Sequence, residues 1–203
     1  MIQQNKGNDA QQMILYVSQY IRYTFRDNSS LVPLQTELNQ VQNYYKLQKL
    51  NTRDSSELTI AADPAVSKFP VPMLCIQTFV ENSFKHGRIS SQPLNVHISV
   101  QLTETEEGNY LNISIQDNGT GFPDEFLQSF LQHTEDAVTG QHIGIHNLRQ
   151  RLTLLYGDQA GLICMNNSSG ALTEIILPIQ EEPNTSSETK SSLLSNENLF
   201  SLS

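Results

Sequence analysis

Basic residues are scarce in this chain, and their scarcity excludes two classes of partner. The 203 residues include 12 Lys and Arg against 21 Asp and Glu, which gives a formal net charge of −9 at pH 7. Nucleic-acid phosphates and anionic membrane surfaces both select for an excess of Lys and Arg, so we expect neither as a partner. A bound phosphate group would need local devices, such as a helix N-terminus, one or two cations or a metal ion.

Long apolar runs are absent as well. No stretch approaches the ~20 apolar residues of a membrane-spanning helix, and residues 1–10 lack the basic and then apolar pattern of a signal peptide. We therefore expect the 203-residue chain to be soluble. The hydrophobic share of 37% is a little low for a compact globule, so part of the chain is expected to stay unpacked.

Cysteine is rare, with Cys75 and Cys164 as the two examples, and each lies in an apolar run. Their separation does not fit the paired spacing of metal ligands. We therefore predict buried free thiols of the kind found in a reducing compartment.

Hydrophobic periodicity predicts the secondary structure. Apolar residues recur every three or four positions over 11–27 and from about residue 33 to 48, which predicts two helices joined at a polar link over 27–30. Further helices are predicted over 72–87 and 145–156. Strands are predicted over 58–62, 94–102, 110–116, 161–166 and 172–177.

These elements predict an α+β fold. Strands joined in hairpins with helices interspersed form a two-layer α/β sandwich, in which helices cover one mixed sheet. The two N-terminal helices are predicted to form a helical hairpin. Residues 118–144 are expected to be a long polar connection, and the Ser-, Asn- and Glu-rich residues 181–203 to be disordered.

The first segment that could carry chemistry reads VENSFKHG over 80–87. At about 100° per residue, the predicted helix gathers its polar side chains on one side, namely Gln77, Thr78, Glu81, Asn82, Lys85 and His86. A solvated helix face, with Glu81 and Lys85 as an i,i+4 ion pair, would explain this pattern. A nucleotide site would explain it too, with Asn82 as a carbonyl ligand to Mg²⁺ and Lys85 beside phosphates.

The second segment reads DNGTGF over 117–122 and follows a strand with Leu111, Ile113 and Ile115 facing inward. Continuing by twos, Asp117 falls on the same apolar face. A carboxylate there is costly unless something donates a hydrogen bond to it, and an adenine amino group, directly and through water, is such a donor. A hairpin turn at Asn-Gly is the alternative, but no alternating strand follows it.

The third segment reads GQHIGIHN over 140–147. Its glycines would let the backbone close on phosphate oxygens, and the helix beginning near Ile145 points its positive end there. A mobile connector would have the same composition. His142 and His146 have a spacing that suits a metal, but Gly144 marks a loop-to-helix junction between them and no third ligand is evident.

In this order, ENSFKHG, DNGTGF, HIGIHNLRQRLTLLYG and GALTEIILP resemble the N, G1, G2 and G3 boxes of the GHKL superfamily, whose ATP site has the Bergerat fold. The forms VENxxKHG and LRQRLxLLYG are similar to the LytS/YesM branch of sensor histidine kinases. Residues 21–51 resemble the end of that branch's dimerisation helices. The resemblance implies a dimerisation remnant over 1–52, an ATP-binding catalytic domain over 53–180 and a disordered tail over 181–203.

The same resemblance implies roles for single residues. Asn82 would ligate Mg²⁺, and Lys85 and His86 would lie near the phosphates. Glu81 would be the candidate for the general base, because Thr78 cannot serve. Asp117 would read adenine, and residues 123–144 would form a lid over ATP. The further nucleotide contacts implied are Gly119, Gly121, Phe122, His142, Ile143, Gly144, Ile145 and Thr173.

The activity implied is transfer of the γ-phosphoryl group of Mg²⁺·ATP to a histidine, and from there to an aspartate of a response regulator. The PHFLFN-like motif that carries the acceptor histidine in that branch does not occur in these residues, so we expect ATP binding without self-phosphorylation. The full-length protein is expected to be a membrane-anchored homodimer, joined through its own phosphoacceptor helices, with a cytoplasmic catalytic part. The alternatives are another GHKL ATPase, an anti-sigma-type serine kinase, and a non-catalytic module that binds nucleotide or dimerises.

Overall fold

The structure is a computed structural model, and it describes residues 11, 13–19, 21–23, 31–52, 55–89, 92–106, 108–132 and 142–179. The helices are α1 (residues 11, 13–19 and 21–23), α2 (Leu34–Thr52), α3 (Gln77–His86), α4 (Asp124–Gln132) and α5 (Ile143–Tyr156). The strands are β1 (Leu31–Pro33), β2 (Glu57–Ala62), β3 (Pro70–Pro72), β4 (Asn95–Thr105), β5 (Gly108–Asp117), β6 (Gly161–Asn166) and β7 (Ala171–Pro178).

Five strands form one mixed sheet in the order β2-β4-β5-β7-β6. Strands β2 and β4 are parallel, and the other neighbours are antiparallel. Inward side chains alternate along β5 and along β4 as far as Val100, as the sequence predicts. Leu102 was expected to face inward as well, but it is 47% exposed near the end of β4. The predicted α+β sandwich with one mixed sheet is therefore confirmed.

One hydrophobic core lies between the sheet and the helices. Its fully buried residues come from α2, α3, α5 and the central strands, and they include Leu34, Val41, Ile76, Val80, Ile98, Ile113, Ile145 and Ile175. Helix α2 is thus part of the same core as the sheet, while the expected domain division at residue 52 stays a prediction. Both cysteines are buried and free, as predicted.

The predicted start of the helix at Pro72 is wrong. Pro72 instead ends the short strand β3, which pairs antiparallel with β1, and neither strand was predicted. Leu74 then adopts a φ of +65°, a left-handed conformation that cannot continue a right-handed helix. Helix α3 therefore begins only at Gln77.

Helix α4 is a second departure, because residues 118–144 were expected to be a polar connection. Phe126 and Phe130 are buried on this helix and pack with their rings 5.5 Å apart. Acidic residues in its first turn complement the helix dipole. Apolar residues recur at helical spacing over 126–131, so the signal was present in the sequence. The rest of the expected lid, residues 133–141, lies outside the described residues, as do the link over 27–30 and the tail over 181–203.

None of the helices in the described part of the chain has the length and apolar character needed to cross a bilayer.

Candidate functional site

Asp117 lies at the end of the central strand β5 and faces inward, as the alternation predicts, with 5% of its surface exposed. Its Oδ1 accepts hydrogen bonds from the amides of Gly119 (2.9 Å) and Ala171 (3.1 Å). Its Oδ2 accepts a hydrogen bond of 2.5 Å from the hydroxyl of Ser83. These donors offset the cost of burying the carboxylate.

The protein therefore satisfies most of this carboxylate by itself, which the sequence did not indicate. A carboxylate offers about four acceptor positions, and three donors are in place. One position remains for a further donor. The inward orientation of Asp117 is confirmed, whereas its contact with adenine stays a prediction.

A cavity of about 170 Å³ borders Asp117. Helix α3 contributes one wall and the sheet contributes another. Its lining includes Phe79, Asn82, Ser83, His86, Ile115 and Thr173. Apolar walls with a few polar groups are typical of small-molecule sites.

Two glycines let separate backbone segments meet beside Asp117. A Cβ at Gly119 would lie 2.1 Å from the carbonyl oxygen of Gly87, and a Cβ at Gly170 would lie 2.7 Å from the amide nitrogen of Gly119. Neither distance is possible for a real carbon contact. At Gly119 the missing side chain makes room for the end of α3. The expected contact of Gly119 with a nucleotide stays a prediction.

Phe122 is held by a side chain that sequence reasoning missed. The amide of Asn166 donates to the carbonyl oxygen of Phe122 (2.8 Å), and the Phe122 N–H donates to Oδ1 of Asn166 (2.7 Å). Gly121 precedes this pair with a φ of +78°, which favours glycine. Gly121 and Phe122 both border the cavity.

Ser83 is the second residue that sequence reasoning missed. It lies four residues after Phe79 and therefore shares the buried face of α3. A small polar residue on this apolar face was the feature of the sequence that could have indicated its role. Gln77 was expected on the polar face but is 1% exposed. It is covered because α2 packs over the start of α3 and Glu37 of α2 contacts its amide.

Four further polar residues of α3 divide into two groups. Asn82 and His86 border the cavity. Glu81 and Lys85 are not among its lining residues and instead form an ion pair at 2.9 Å, in which the side chain of Lys85 is 58% exposed. This is the geometry of the solvated-face interpretation, and catalytic roles for Glu81 and Lys85 stay predictions.

The start of α5 brings His142 to the cavity. Its ring centroid lies 4.3 Å from that of Phe126 and 6.4 Å from that of His86. Burial, and then the nearby His86 and His146, lower the pKa of His142 below its usual value. A neutral imidazole is therefore favoured at this position.

The three residues after His142 are placed differently. Ile143 is 46% exposed and Gly144 is exposed, whereas Ile145 is fully buried in the core. The amide of Ile145 donates to the carbonyl oxygen of His142 at 3.0 Å. Packing therefore accounts for Ile145, and its expected contact with a nucleotide stays a prediction.

A magnesium ion would find few protein ligands here. No group of three or more His, Cys, Asp or Glu that could hold a metal occurs among the residues that the structure describes. Mg²⁺ often keeps several waters and takes one or two protein ligands together with substrate phosphates. The amide oxygen of Asn82 at the cavity fits that kind of site.

Two family models match the chain. The model of histidine kinases matches residues 1–56, and that of histidine kinase-, DNA gyrase B- and HSP90-like ATPases matches residues 71–183. The chain is 32% identical over 172 residues to an uncharacterized sensor-like histidine kinase of Staphylococcus epidermidis, covering 84% of this chain and 33% of that protein. It is 30% identical over 174 residues to the sensor protein LytS of Oceanobacillus iheyensis, covering 83% and 29%.

The chain thus spans about a third of the length of these relatives. Among solved structures, it resembles the catalytic domain of the histidine kinase ThkA with a TM-score of 0.56 and 13% identity. The likeness covers 75% of this chain and 98% of that one, and it concerns the fold.

Proposed function

Since the chain belongs to the family of histidine kinase-, DNA gyrase B- and HSP90-like ATPases, we propose that it is the ATP-binding catalytic part of a sensor histidine kinase. One observation carries the assignment of the site. Asp117 is buried, is oriented by three protein donors and keeps one acceptor position beside a cavity. An amino group on a flat, largely apolar ring is the ligand that such a position favours.

The adenine end of the site is built on the sheet. Asp117 accepts a hydrogen bond from the adenine amino group, and Ser83 holds the carboxylate in the orientation for that contact. Phe79 and Ile115 supply apolar surface to the ring, and Thr173, 2% exposed on β7, lies among the lining residues. Recognition here needs no movement of the carboxylate, because both its oxygens are already held.

The phosphate end lies along α3 and the start of α5. Asn82 provides an oxygen ligand for Mg²⁺, and His86 and His142 border the cavity on this side. Lys85 lies one turn from Glu81 and has to leave that ion pair before its ammonium group can reach a phosphate. The N-terminal end of α5 carries the positive end of the helix dipole, which favours an anion.

Bound Mg²⁺·ATP supplies the γ-phosphoryl group that is transferred. Phosphoryl transfer asks mainly for positioning and charge neutralisation from the protein. In this proposal Asn82 and Lys85 provide these, and Glu81 is retained as a weak candidate for the base. Gly121, Phe122 and residues 142–144 shape the rim of the site.

The partners follow from the same proposal. The acceptor histidine belongs to dimerisation helices of the whole protein, a homodimer anchored in a bacterial membrane with this part in the cytoplasm, and the aspartate of a response regulator receives the phosphoryl group. The match of residues 1–56 to histidine kinases supports this function over that of another ATPase or a serine kinase of the superfamily.

Calorimetric titration of the chain with ATP, with and without Mg²⁺, tests the proposal. We expect saturable binding that Mg²⁺ strengthens, and phosphoryl transfer when a dimerisation domain bearing an acceptor histidine is added. A chain that binds no ATP at millimolar concentration refutes the nucleotide site. Binding without any transfer to that domain supports a non-catalytic nucleotide-binding module instead.

A further inference from the structure

A buried carboxylate lies outside the cavity and has no part in the site described above. Glu37 of α2 is fully buried, and its carboxylate accepts hydrogen bonds from the amides of Leu74 (3.0 Å), Ile76 (3.2 Å) and Gln77 (3.1 Å). The hydroxyl of Tyr23, on α1, donates to the same carboxylate. Glu37 thus joins α1, α2 and the start of α3.

The start of α3 needs such a partner. The first amides of a helix have no acceptor within the helix, and usually a side chain just before the helix supplies one. Here Ile76 occupies that position, makes no side-chain capping bond, and the first turn contains no acidic residue. Glu37, 40 residues earlier in the chain than Gln77, supplies the missing negative group.

The turn before α3 is also held from its other side. The guanidinium of Arg151 on α5 donates to the carbonyl oxygen of Met73 at 2.6 Å. Leu74, the next residue, has the left-handed φ of +65°, a conformation that the surroundings must maintain. Polar contacts from α2 and α5 therefore hold this turn from two sides.

The protonation states of Tyr23 and Glu37 agree with the hydrogen bond between them. Burial raises the pKa of Tyr23, so its hydroxyl keeps the proton that it donates. Burial also raises the pKa of Glu37, and the hydrogen bonds from Tyr23 and the three amides act in the opposite direction. An apolar side chain at position 37 would leave these three amides without an acceptor, so the turn before α3 requires a polar partner here.

We propose that Glu37 is a positioning residue for the nucleotide site: it sets the place of α3, and hence of Asn82 and Ser83, and Tyr23 links that place to α1. The inference rests on the proposed function. Asn82 lies five residues after Gln77, or about 7.5 Å along the helix axis. A rigid helix transmits a displacement of its first turn over that length, so a change in α1 reaches the site through these two side chains.

Three variants of the full 203-residue chain separate positioning from stability. Glu37→Gln keeps the size but loses the charge and turns an NH₂ group toward backbone donors. Tyr23→Phe removes one donor and leaves the three amides in place. Val41→Ala is the matched control, because Val41 is fully buried on α2 one turn beyond Glu37 and is not a partner of the α3 amides.

Calorimetric titration with Mg²⁺·ATP is carried out at a temperature at which thermal melts show every variant to be folded. We expect Glu37→Gln to weaken ATP affinity about fivefold or more and Tyr23→Phe about twofold to fivefold, in the range typical of residues that act without contacting the ligand. Val41→Ala is expected to lower the melting temperature with an affinity within about twofold of the parent. If Glu37→Gln does not fold, the positioning role is tested by comparing the ATP affinity of Tyr23→Phe with that of Val41→Ala.

A second measurement does not depend on ATP. In nuclear magnetic resonance spectra of the ligand-free chain, Glu37→Gln and Tyr23→Phe should shift the amide signals of Asn82 and Ser83, and Val41→Ala should leave them in place. Equal affinities and unshifted signals in all three variants overturn the positioning role and leave Glu37 as a stabilising residue. A parent chain that binds no ATP, with the signals shifted as expected, overturns the proposed function and not the link between Glu37 and α3.

Discussion

Ser83 on α3 donates a hydrogen bond of 2.5 Å to Asp117 on β5, so the helix and the central strand share a buried polar contact. The other oxygen of the carboxylate is bound by the amides of Gly119 and Ala171. Both oxygens are thus oriented before any ligand arrives, and such preorganisation lowers the cost of binding.

Asp117→Asn should abolish detectable ATP binding while the chain remains folded. The amide replaces one acceptor oxygen with a donor, so the contacts to Ser83 and the backbone amides cannot all form. A buried donor left unpaired costs roughly 1–3 kcal/mol, which the fold can tolerate. Calorimetry measures the ATP affinity, and circular dichroism shows whether the variant is folded. An unchanged ATP affinity would count against Asp117 as part of the nucleotide site.

Ser83→Ala should weaken ATP binding about threefold to tenfold and lower the free energy of unfolding by roughly 1–3 kcal/mol, because a hydrogen bond to a carboxylate is lost. Ser99→Ala is the matched control, since Ser99 lies on the half-buried outer face of β4. Chemical denaturation and calorimetry measure both effects. Equal affinities for the two variants would show that Ser83 does not orient Asp117.

Asn82→Asp should change the dependence of ATP binding on Mg²⁺ more than it changes adenine recognition. Asn82 borders the cavity, and an added charge at a metal ligand alters the affinity for the ion. We expect adenosine to bind within about twofold of the parent value, while the effect of Mg²⁺ on ATP affinity shifts about tenfold, in keeping with one altered ligand. An identical Mg²⁺ dependence in variant and parent would contradict the role of Asn82.

His142 should make stability depend on pH on the acidic side of neutrality. Burial, and then His86 and His146, lower its folded-state pKa below the unfolded value of 6.5. Above that value both states are neutral and the effect is absent. As the pH falls through 6.5, the unfolded chain takes up a proton that the folded chain does not, so stability decreases. The free energy of unfolding should be measured from about pH 7.5 to about pH 5, on either side of the ordinary histidine pKa. We expect it to decline less steeply in His142→Asn than in the parent. Parallel curves would exclude this contribution.

Several features of the fold could be predicted because they are periodic and local. The period of two along β5 predicted the inward face of Asp117, and the glycine boundaries predicted where α3 and α5 end. Helix α4 was not predicted, although Phe126 and Phe130 recur at helical spacing, because residues 118–144 as a whole are polar and contain glycines. The start of α3 was predicted five residues too early because Pro72 commonly begins helices, but here it closes the ladder with β1.

The sequence by itself determined most of the helices and strands and the apolar side of each of these, because those properties depend on neighbours within a few positions. Only the tertiary structure decided the partners of the polar groups. Ser83 and Asp117 are 34 residues apart, and Glu37 and Gln77 are 40 apart. Periodicity predicts whether each of these residues faces inward or outward. Its hydrogen-bond partner depends on how α2 and α3 pack against the sheet.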